Sequence, residues 1–324
     1  MSLASTRRLR PMDSHIERHL DRVKGMKSEG TFKRRRVDLR DYNEWLEDQG
    51  YGDCASLDWL QIESYLLEQN SKGYAPSTVA SKYQSLRELY DFLTDIDEYD
   101  DSPFEKLSRK DYVNGNSSKK FDESEVIYVT PEDVELMTEN VPKPTLRNEL
   151  IIRLMFQTGV RRSELVSIEL EDINREERSI EIWSQKTQSS RTVFYQPSLD
   201  LLMEQWIDGG YRDSYLAAAE SDHLFLGQKG ELKKDRLGNI IKEAAENADI
   251  QEVMYEDQQG RKRYRITCHA LRHGHAVHAL KSGIDIRNLQ KHMGHADIER
   301  TSEYLQLIND DVREAFRQFG VTDD

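Results

Sequence analysis

Four stretches of the sequence concentrate side chains that bind phosphate or transfer protons. They are residues 158–165 with Arg161 and Arg162, the single Lys186, residues 269–273 with Arg272, and residues 293–295, which Tyr304 follows nine positions after His295. A guanidinium binds two phosphate oxygens at once, and histidine exchanges protons near neutral pH. A spacing of three residues places His269 and Arg272 on one helical face, where both can reach the same phosphate. The pattern therefore indicates phosphoryl chemistry.

The histidines of the third stretch also permit a metal site, which has to be weighed first. His269, His273, His275 and His278 include pairs four residues apart, a spacing at which two imidazoles can share a zinc ion. The HExxH pattern is absent, however, and no carboxylate lies nearby to serve as ligand or base. We therefore expect no metal and no other cofactor.

The net charge of −14 over 324 residues at first argues against a nucleic-acid partner, because binding the phosphate backbone needs a basic surface. The charge is unevenly distributed, however. Three runs contain no acid at all, namely residues 150–163, 182–199 and 258–284, and they include most of the phosphate-binding candidates. The overall charge therefore does not exclude DNA. The acidic remainder suggests a host with a salty cytoplasm, in which case DNA cleavage should survive molar KCl.

Other classes of protein are disfavoured by the sequence. The apolar runs are short and interrupted by charge, so no membrane span is expected, and the N-terminus has no apolar stretch typical of a secretory signal. Cys54 and Cys268 are too few for a disulfide framework or a cysteine zinc site. We expect a cytoplasmic protein of two domains.

Hydrophobic periodicity predicts a helical N-terminal domain. After a flexible basic arm at residues 1–11, helices are expected at 34–50, 59–70 and 76–93, with a short fourth one after Ser102-Pro103. Together they form a small helical bundle over residues 12–107. Residues 108–127 are polar and lack periodicity, which is typical of a linker.

The C-terminal domain, residues 128–324, is predicted to be mostly helical with one small antiparallel sheet. Thr130-Pro131 begins a helix, and Gly159 ends the next one. Alternating patterns at 179–183 and 192–195 predict a hairpin that carries Lys186 in its turn, and 264–267 is at most a short strand. The helices are expected at 130–140, 145–158, 163–170, 198–208, 212–220, 235–248, 269–282, 286–293, 298–308 and 310–319. The fold class is therefore mainly α, with a mixed α/β second domain.

The order of the motifs closely resembles the tyrosine recombinase (phage integrase) family, in particular its Xer-like simple recombinases. The sequence reads Thr-Gly-Val-Arg-x-x-Glu-Leu, a lysine in a hairpin, His-x-Leu-Arg-His, and Gly-His with a tyrosine nine residues later. The likeness runs for over 35 residues from His269 and extends to the N-terminal bundle, where Ser77-Thr78 and residues 102–104 match. It implies a SAM-like core-binding domain followed by the family's catalytic domain.

The resemblance assigns a role to each matching residue. These are Arg161 and Arg272 as the two catalytic arginines, Lys186 as the hairpin lysine, His269 as the histidine of the His-x-x-Arg pair, His295 as the histidine before the nucleophile, Tyr304 as the nucleophile and Glu164 as a supporting acid. The spacing after Thr-Gly favours Arg161 over Arg162. The sequence departs from the family's usual pattern at Gly274-His275, where a small hydroxyl residue and an aromatic one are common, and at Met293, where leucine is frequent.

The resemblance also implies the reaction and its partners. Tyr304 would attack a DNA phosphate to give a 3′-phosphotyrosyl intermediate, without ATP or metal, while His269 accepts its proton and Lys186 protonates the leaving oxygen. The implied partners are double-stranded DNA and three further copies of the chain, in a tetramer on two DNA sites. The helix at 310–319 would dock on a neighbouring protomer, and host accessory proteins are further candidates.

Alternative functions remain open at the level of the sequence. They are DNA relaxation like that of a type IB topoisomerase, a non-catalytic DNA-binding regulator on a recombinase scaffold, and a metal-dependent hydrolase. The helical bundle and the short Gly-His-to-Tyr spacing favour the recombinase over the topoisomerase, and the complete residue set argues against the regulator. Integration of a mobile element and resolution of plasmid or chromosome dimers are both compatible with the sequence.

Overall fold

The computed structural model describes residues 11–113, 126–184, 189–256, 262–294 and Tyr304. The chain divides into two compact units, Met1–Phe121 and Asp122–Asp324. The division falls inside the stretch 108–127 that the sequence predicts to be a linker. Each unit has its own hydrophobic core, and none of the helices in the described ranges is long and apolar enough to cross a lipid bilayer.

The first unit is a bundle of helices whose ends follow from local chemistry. Its described helices are α1 (Ser14–Met26), α2 (Glu29–Gln49), α3 (Trp59–Ser71), α4 (Pro76–Asp95) and α5 (Arg109–Val113). The Asp13 carboxylate caps α1 by accepting hydrogen bonds from two backbone N–H groups. Ser28 caps α2 in the same way, so this helix begins five residues before the predicted start. It ends where Gly50 adopts a left-handed conformation (φ 78°).

Helix α5 lies inside the stretch predicted to be a linker. Its Tyr112 is buried in the core of the first unit, where its hydroxyl donates to Glu63 Oε1 at 2.7 Å. The backbone carbonyl of Tyr112 accepts a hydrogen bond from Asn70 Nδ2 at 2.8 Å. A single buried aromatic residue produces no periodic pattern, so periodicity does not predict that the bundle extends to this point.

The second unit combines seven described helices with three small antiparallel sheets. The helices are α6 (Pro131–Glu139), α7 (Thr145–Thr158), α8 (Arg162–Leu165), α9 (Asp200–Ile207), α10 (Lys234–Asn247), α11 (Cys268–Lys281) and α12 (Ile286–Met293). The strands are β1 (Ile173–Asn174), β2 (Ser179–Ser184), β3 (Ser189–Phe194), β4 (Leu226–Gly227), β5 (Gly230–Glu231), β6 (Val253–Glu256) and β7 (Lys262–Tyr264). The sheets are β1–β2–β3, β4–β5 and β6–β7. Helix α7 is central and contributes Leu150, Ile151, Leu154 and Met155 to the core.

The predicted fold class is confirmed, and several boundaries of the second unit are corrected. Strand β3 begins at Ser189, three residues before the predicted start, and therefore includes Arg191. The expected helix at 212–220 is reduced to a 3₁₀ turn at Leu216–Glu220, and α8 ends at Leu165 instead of residue 170. Strands β6 and β7 form a hairpin where a short strand at most was expected. The helices predicted at 298–308 and 310–319 lie outside the described residues.

Candidate active site

Two helix ends, those of α7 and α12, build the candidate site. Each is followed by a glycine in the left-handed conformation, Gly159 (φ 62°) and Gly294 (φ 61°). A Cβ atom at Gly159 would lie 2.4 Å from the ring of His275, and one at Gly294 would lie 3.1 Å from Cδ of Arg191. The last carbonyls of a helix lack intrahelical partners and carry the negative end of its dipole. Both ends therefore attract cationic donors.

Three arginines donate hydrogen bonds to three successive backbone carbonyls at the end of α12, one arginine to each carbonyl. The hydrogen bonds run from Arg191 Nε to His292 O (2.7 Å), from Arg272 Nη2 to Met293 O (2.7 Å) and from Arg161 Nη2 to Gly294 O (2.8 Å). Arg272 also donates through Nη1 to the carbonyl of Gly159, which links the ends of α7 and α12. We call Arg161, Arg191, Arg272 and their carboxylate partner Glu164 the arginine cluster. Each guanidinium has five N–H donors, so further donors are left for a ligand.

Glu164 joins two of these arginines. Its carboxylate accepts from Arg161 Nη1 at 2.8 Å and from the backbone N–H of Arg161 at 2.7 Å. It also accepts both Nη groups of Arg191, at 3.0 and 2.8 Å. Burial opposes its ionisation, but these hydrogen bonds hold the pKa of Glu164 at about 2. The carboxylate is therefore charged at any pH near neutrality.

The arginine cluster has an excess of positive charge. Its three guanidiniums face one carboxylate among the described contacts, that of Glu164. Burial and the repulsion of Arg161 lower the pKa of Arg272 to about 9, although Arg272 stays protonated at neutral pH. A bound phosphate would supply the missing negative charge and relieve this repulsion. The geometry therefore suits an anion whose charge increases during reaction.

Tyr304 is buried, with 2% of its surface exposed, in a small apolar cluster that includes Val277, Leu289 and Met293. Its hydroxyl lies 2.5 Å from Nδ1 of His273 and is hydrogen-bonded to it. The sequence assigned proton acceptance to His269, which is exposed and whose ring centroid lies 6.4 Å from that of His273. The histidine in contact with the tyrosine is thus the one a helical turn further along α11. The 269/273 spacing was the available signal, since it puts both rings on one face.

A second pair of histidines supports the end of α7. The rings of His275 and His292 stack with centroids 5.2 Å apart. His275 Nδ1 donates to Phe156 O at 2.9 Å, and His292 Nε2 donates to Thr158 O at 3.0 Å. Burial lowers the pKa of both, that of His275 to about 3, so both rings are neutral at physiological pH. His275 is one of the two departures from the family pattern, and here it satisfies a helix-end carbonyl.

The neighbouring departure, Gly274, has a steric explanation. A Cβ atom at this position would lie 2.4 Å from the carbonyl oxygen of Val129. Because real Cβ atoms never approach backbone oxygen so closely, the segment before α6 could not pack at this distance against any other residue. Gly274 therefore permits close packing beside Arg272.

The structure brings together only some of the residues that the sequence selected. Arg161, Glu164 and Arg272 meet in the arginine cluster, whereas Arg162 is exposed and points to no described partner carboxylate. Lys186 and His295 lie outside the described residues. Arg191 lies in the acid-free run 182–199, and the sequence analysis assigns it no role. Among the described residues, the group with ligand atoms close enough for a metal is Asp13, Asp53 and Cys54, where Asp13 already serves as the cap of α1.

Comparison with known proteins gives matches along most of the chain. The phage integrase family model matches residues 128–310, and the model of the phage integrase N-terminal SAM-like domain matches residues 16–96. Tyrosine recombinase XerD of Staphylococcus saprophyticus is 27% identical over 315 residues, 95% of this chain and 99% of that protein. Tyrosine recombinase XerC of Staphylococcus aureus strain JH9 is 26% identical over 297 residues, 89% of this chain and 90% of that protein.

Solved structures show a similar fold. XerH site-specific recombinase in a post-cleavage complex with palindromic difH substrate has a TM-score of 0.68 at 17% identity, and the match covers 93% of this chain and 82% of that one. The Tn1549 transposon integrase in complex with a circular intermediate DNA has a TM-score of 0.67 at 18% identity, with 91% and 95% covered. These likenesses establish the architecture of both units.

Proposed function

The chain belongs to the phage integrase family, and we propose that its arginine cluster and Tyr304 cleave and rejoin DNA. The enzyme is a tyrosine-type site-specific recombinase. The observation that carries the assignment of residues is the meeting of Arg161 and Arg272 on the successive carbonyls of Met293 and Gly294, with Glu164 as the charged partner of Arg161. Arg272 is also close enough to Tyr304 for the two to interact electrostatically.

In the proposed reaction, the hydroxyl oxygen of Tyr304 attacks the scissile phosphorus. A bond forms between this oxygen and phosphorus, the bond from phosphorus to O5′ breaks, and a 3′-phosphotyrosyl enzyme and a free 5′-hydroxyl result. A histidine of α11 accepts the tyrosine proton. We assign this step to His269, as the sequence indicates, while the contact in the structure makes His273 its competitor. Lys186 protonates the leaving O5′.

Stabilisation of the transition state comes from the arginines. As the tyrosine adds, negative charge accumulates on the non-bridging phosphate oxygens, and Arg161 and Arg272 donate to them, with His295 as a further donor. The helix-end carbonyls and Glu164 hold both guanidiniums before substrate binds, so little reorganisation is required. Because the phosphotyrosyl bond retains the energy of the phosphodiester, attack by another 5′-hydroxyl restores DNA without ATP.

The partner is DNA, and we propose a tetramer on two recombination sites as the active assembly. Exchange of strands between two duplexes needs four cleavages, one for each protomer. The named relatives act in different settings, since XerH was solved with difH and the Tn1549 integrase with a circular intermediate. Dimer resolution and integration of a mobile element are therefore the two biological roles proposed for this chain, with host accessory proteins as additional partners.

The decisive experiment asks whether Tyr304 forms the covalent bond. The recombination site is first identified by sequencing host DNA that stays attached to the protein after denaturation. A nicked duplex of that site should then trap wild-type protein as a covalent adduct, whereas Tyr304→Phe should bind it normally and form none. Tyr211→Phe, which changes an exposed tyrosine, is the matched control and should behave like the wild type.

Two further observations separate the alternatives. Adduct formation should continue in excess EDTA, whereas a metal-dependent hydrolase would lose activity. Relaxation of supercoiled plasmids that lack the site, as fast as of plasmids that contain it, would instead indicate a topoisomerase. An adduct at the wild-type level in Tyr304→Phe would show that another residue is the nucleophile.

A further inference from the structure

Arg191 makes three side-chain hydrogen bonds to described residues, whereas Arg161 and Arg272 make two each. It lies on β3, and 11% of its side chain is exposed. Both Nη groups bind the two oxygens of Glu164, at 3.0 and 2.8 Å, and Nε donates to His292 O at 2.7 Å. Its side chain also fills the space where a Cβ atom of Gly294 would lie. All three of its nitrogens are therefore occupied by protein acceptors.

The two acceptors of Arg191 are the groups that orient the catalytic arginines. The oxygens of Glu164 that it binds are the same ones that hold Nη1 and the backbone N–H of Arg161. The His292 carbonyl directly precedes the carbonyls that hold Arg272 and Arg161. A planar fork on both oxygens fixes the rotation of a carboxylate, which a single contact cannot do. Arg191 therefore restrains both sides of the phosphate-binding pair.

Loss of Arg191 would leave Glu164 buried with one cationic partner instead of two. Its side-chain exposure of 6% means that little water can replace the lost hydrogen bonds. We expect the carboxylate to turn towards Arg161 and draw the guanidinium from its position on the Gly294 carbonyl. Release of the His292 carbonyl would at the same time loosen the end of α12.

We propose that Arg191 is a positioning residue that aligns Arg161 and Arg272 for the scissile phosphate through Glu164 and the end of α12. The inference rests on the proposed roles of Arg161, Arg272 and Tyr304. All three nitrogens of Arg191 already donate to Glu164 and His292, so we assign phosphate binding to Arg161 and Arg272 and a supporting role to Arg191. Lysine cannot replace it, since an ammonium lacks the planar fork that spans both carboxylate oxygens.

The test compares Arg191→Ala and Arg191→Lys with Arg178→Ala. Arg178 is a matched control because two of its nitrogens also donate to one carboxylate, that of Asp200, but on the exposed surface. Adduct formation is measured in a single turnover on the nicked site, together with the dissociation constant for DNA. Both Arg191 variants should form adduct about 10- to 100-fold more slowly, the range found when a supporting partner is removed. Their DNA affinity should change by less than about threefold, and Arg178→Ala should stay within about twofold of wild type.

A change in the substrate separates positioning from general damage. A methylphosphonate at the scissile position removes the charge of one non-bridging oxygen, so a misplaced arginine matters less there. The defect of Arg191→Ala should therefore shrink at least about tenfold on this substrate. A bridging 5′-sulfur gives a leaving group that needs no proton. It should therefore restore cleavage by a variant that lacks the Lys186 amine and leave the cleavage defect of Arg191→Ala unchanged.

Several results would overturn the proposal. They are wild-type cleavage by Arg191→Ala, an equal defect on the methylphosphonate and the ordinary phosphodiester, and relief of the defect by the bridging sulfur, which would place Arg191 with the lysine. If Arg191→Ala does not fold, as judged by its thermal melt, Arg191→Lys provides the same comparisons. Failure of the wild type to form any adduct, or adduct formation by Tyr304→Phe, would refute the proposed function instead.

Discussion

Each of the two units contains a cluster of charged side chains at the contact of its helices, and the two clusters differ in balance. In the first unit, α2 and α4 share what we call the α2–α4 ion network. It consists of Arg34 and Arg35 with Asp38 and Glu88, joined through Ser81 and Ser85, and of the separate pair Lys82–Asp41 between the same two helices. Three cations therefore meet three carboxylates. In the arginine cluster of the second unit, three cations meet one carboxylate among the residues that the structure describes.

The difference shows which cluster is complete without a ligand. Charges removed from water are tolerated when they are paired and hydrogen-bonded, as in the α2–α4 ion network. In the arginine cluster, the excess positive charge faces helix-end carbonyl oxygens, which carry only a partial negative charge. The cluster therefore keeps an uncompensated positive charge, which a bound phosphate would neutralise. We infer that the first network serves folding and that the second is organised for an anion.

The largest effect is expected from breaking the balanced network at Arg35. Arg35→Met should destabilise the first unit by about 2–3 kcal/mol, because Glu88 loses a bidentate partner while remaining largely covered. The readout is hydrogen exchange of the α2 and α4 amides in the full chain, which reports the stability of this unit separately. Lys33→Met, which breaks the exposed pair with Glu29, is the control and should cost less than about 0.5 kcal/mol.

The companion variant Arg35→Met with Glu88→Leu tests whether balance is the cause. Removing both charges should recover most of the lost stability, since no unpaired carboxylate is left. A double variant as unstable as Arg35→Met would mean that packing and not charge balance determines the effect.

A somewhat smaller effect is expected from His19, a potential cation of the first unit that has no hydrogen-bond partner among the described residues. Its ring is buried, both nitrogens are unpaired, and it lies against the ring of Phe92. Burial lowers its pKa from 6.5 to about 4. The unfolded chain therefore binds a proton more readily, and stability that is present above pH 6.5 is lost as the pH falls towards 4. At pH 5 the loss should be about 2 kcal/mol.

The measurement compares pH 7.5 with pH 5 by hydrogen exchange of α1 and α4, corrected for the intrinsic rate at each pH. His19→Phe, which cannot bind a proton, should lose less stability on acidification than the wild type does. An equal loss in both proteins would show that other groups of the first unit, for example Glu68 and Glu88 with their lowered pKa values, dominate the acid response.

The sequence predicted the parts of the site that depend on local spacing. Gly159 after an apolar helix and the i, i+3 pair of His269 and Arg272 are short-range patterns. The structure brings Arg161 and Arg272 together at the end of α12, while the catalytic roles assigned to them stay predictions. The acid-free runs were informative in the same way, since each of the three supplies one arginine to the cluster. Roles for Lys186 and His295 stay predictions.

The rest could not be predicted because it depends on contacts between distant residues. Arg191 acts through Glu164 and His292, which lie 27 and 101 positions away in the chain. The β6–β7 hairpin was missed because a bulged, mostly exposed pair of strands has no alternating apolar face. The hydrogen bond between Tyr304 and His273 joins residues 31 positions apart, so helical spacing alone does not predict it.

The smallest expected effect tests the unbalanced cluster directly with an inorganic anion. Sulfate at about ten times its dissociation constant should stabilise the second unit by about 1.4 kcal/mol if it binds the folded form alone. This increase in stability should slow hydrogen exchange of the α7 and α11 amides and leave that of the α2 and α4 amides unchanged. Sulfate also stabilises proteins by exclusion from their surfaces, so chloride at equal ionic strength is not a sufficient control. The variant Arg272→Gln removes one buried cation of the cluster and should lose most of the sulfate-dependent increase in stability. An equal increase in both proteins would show that the cluster does not bind the anion.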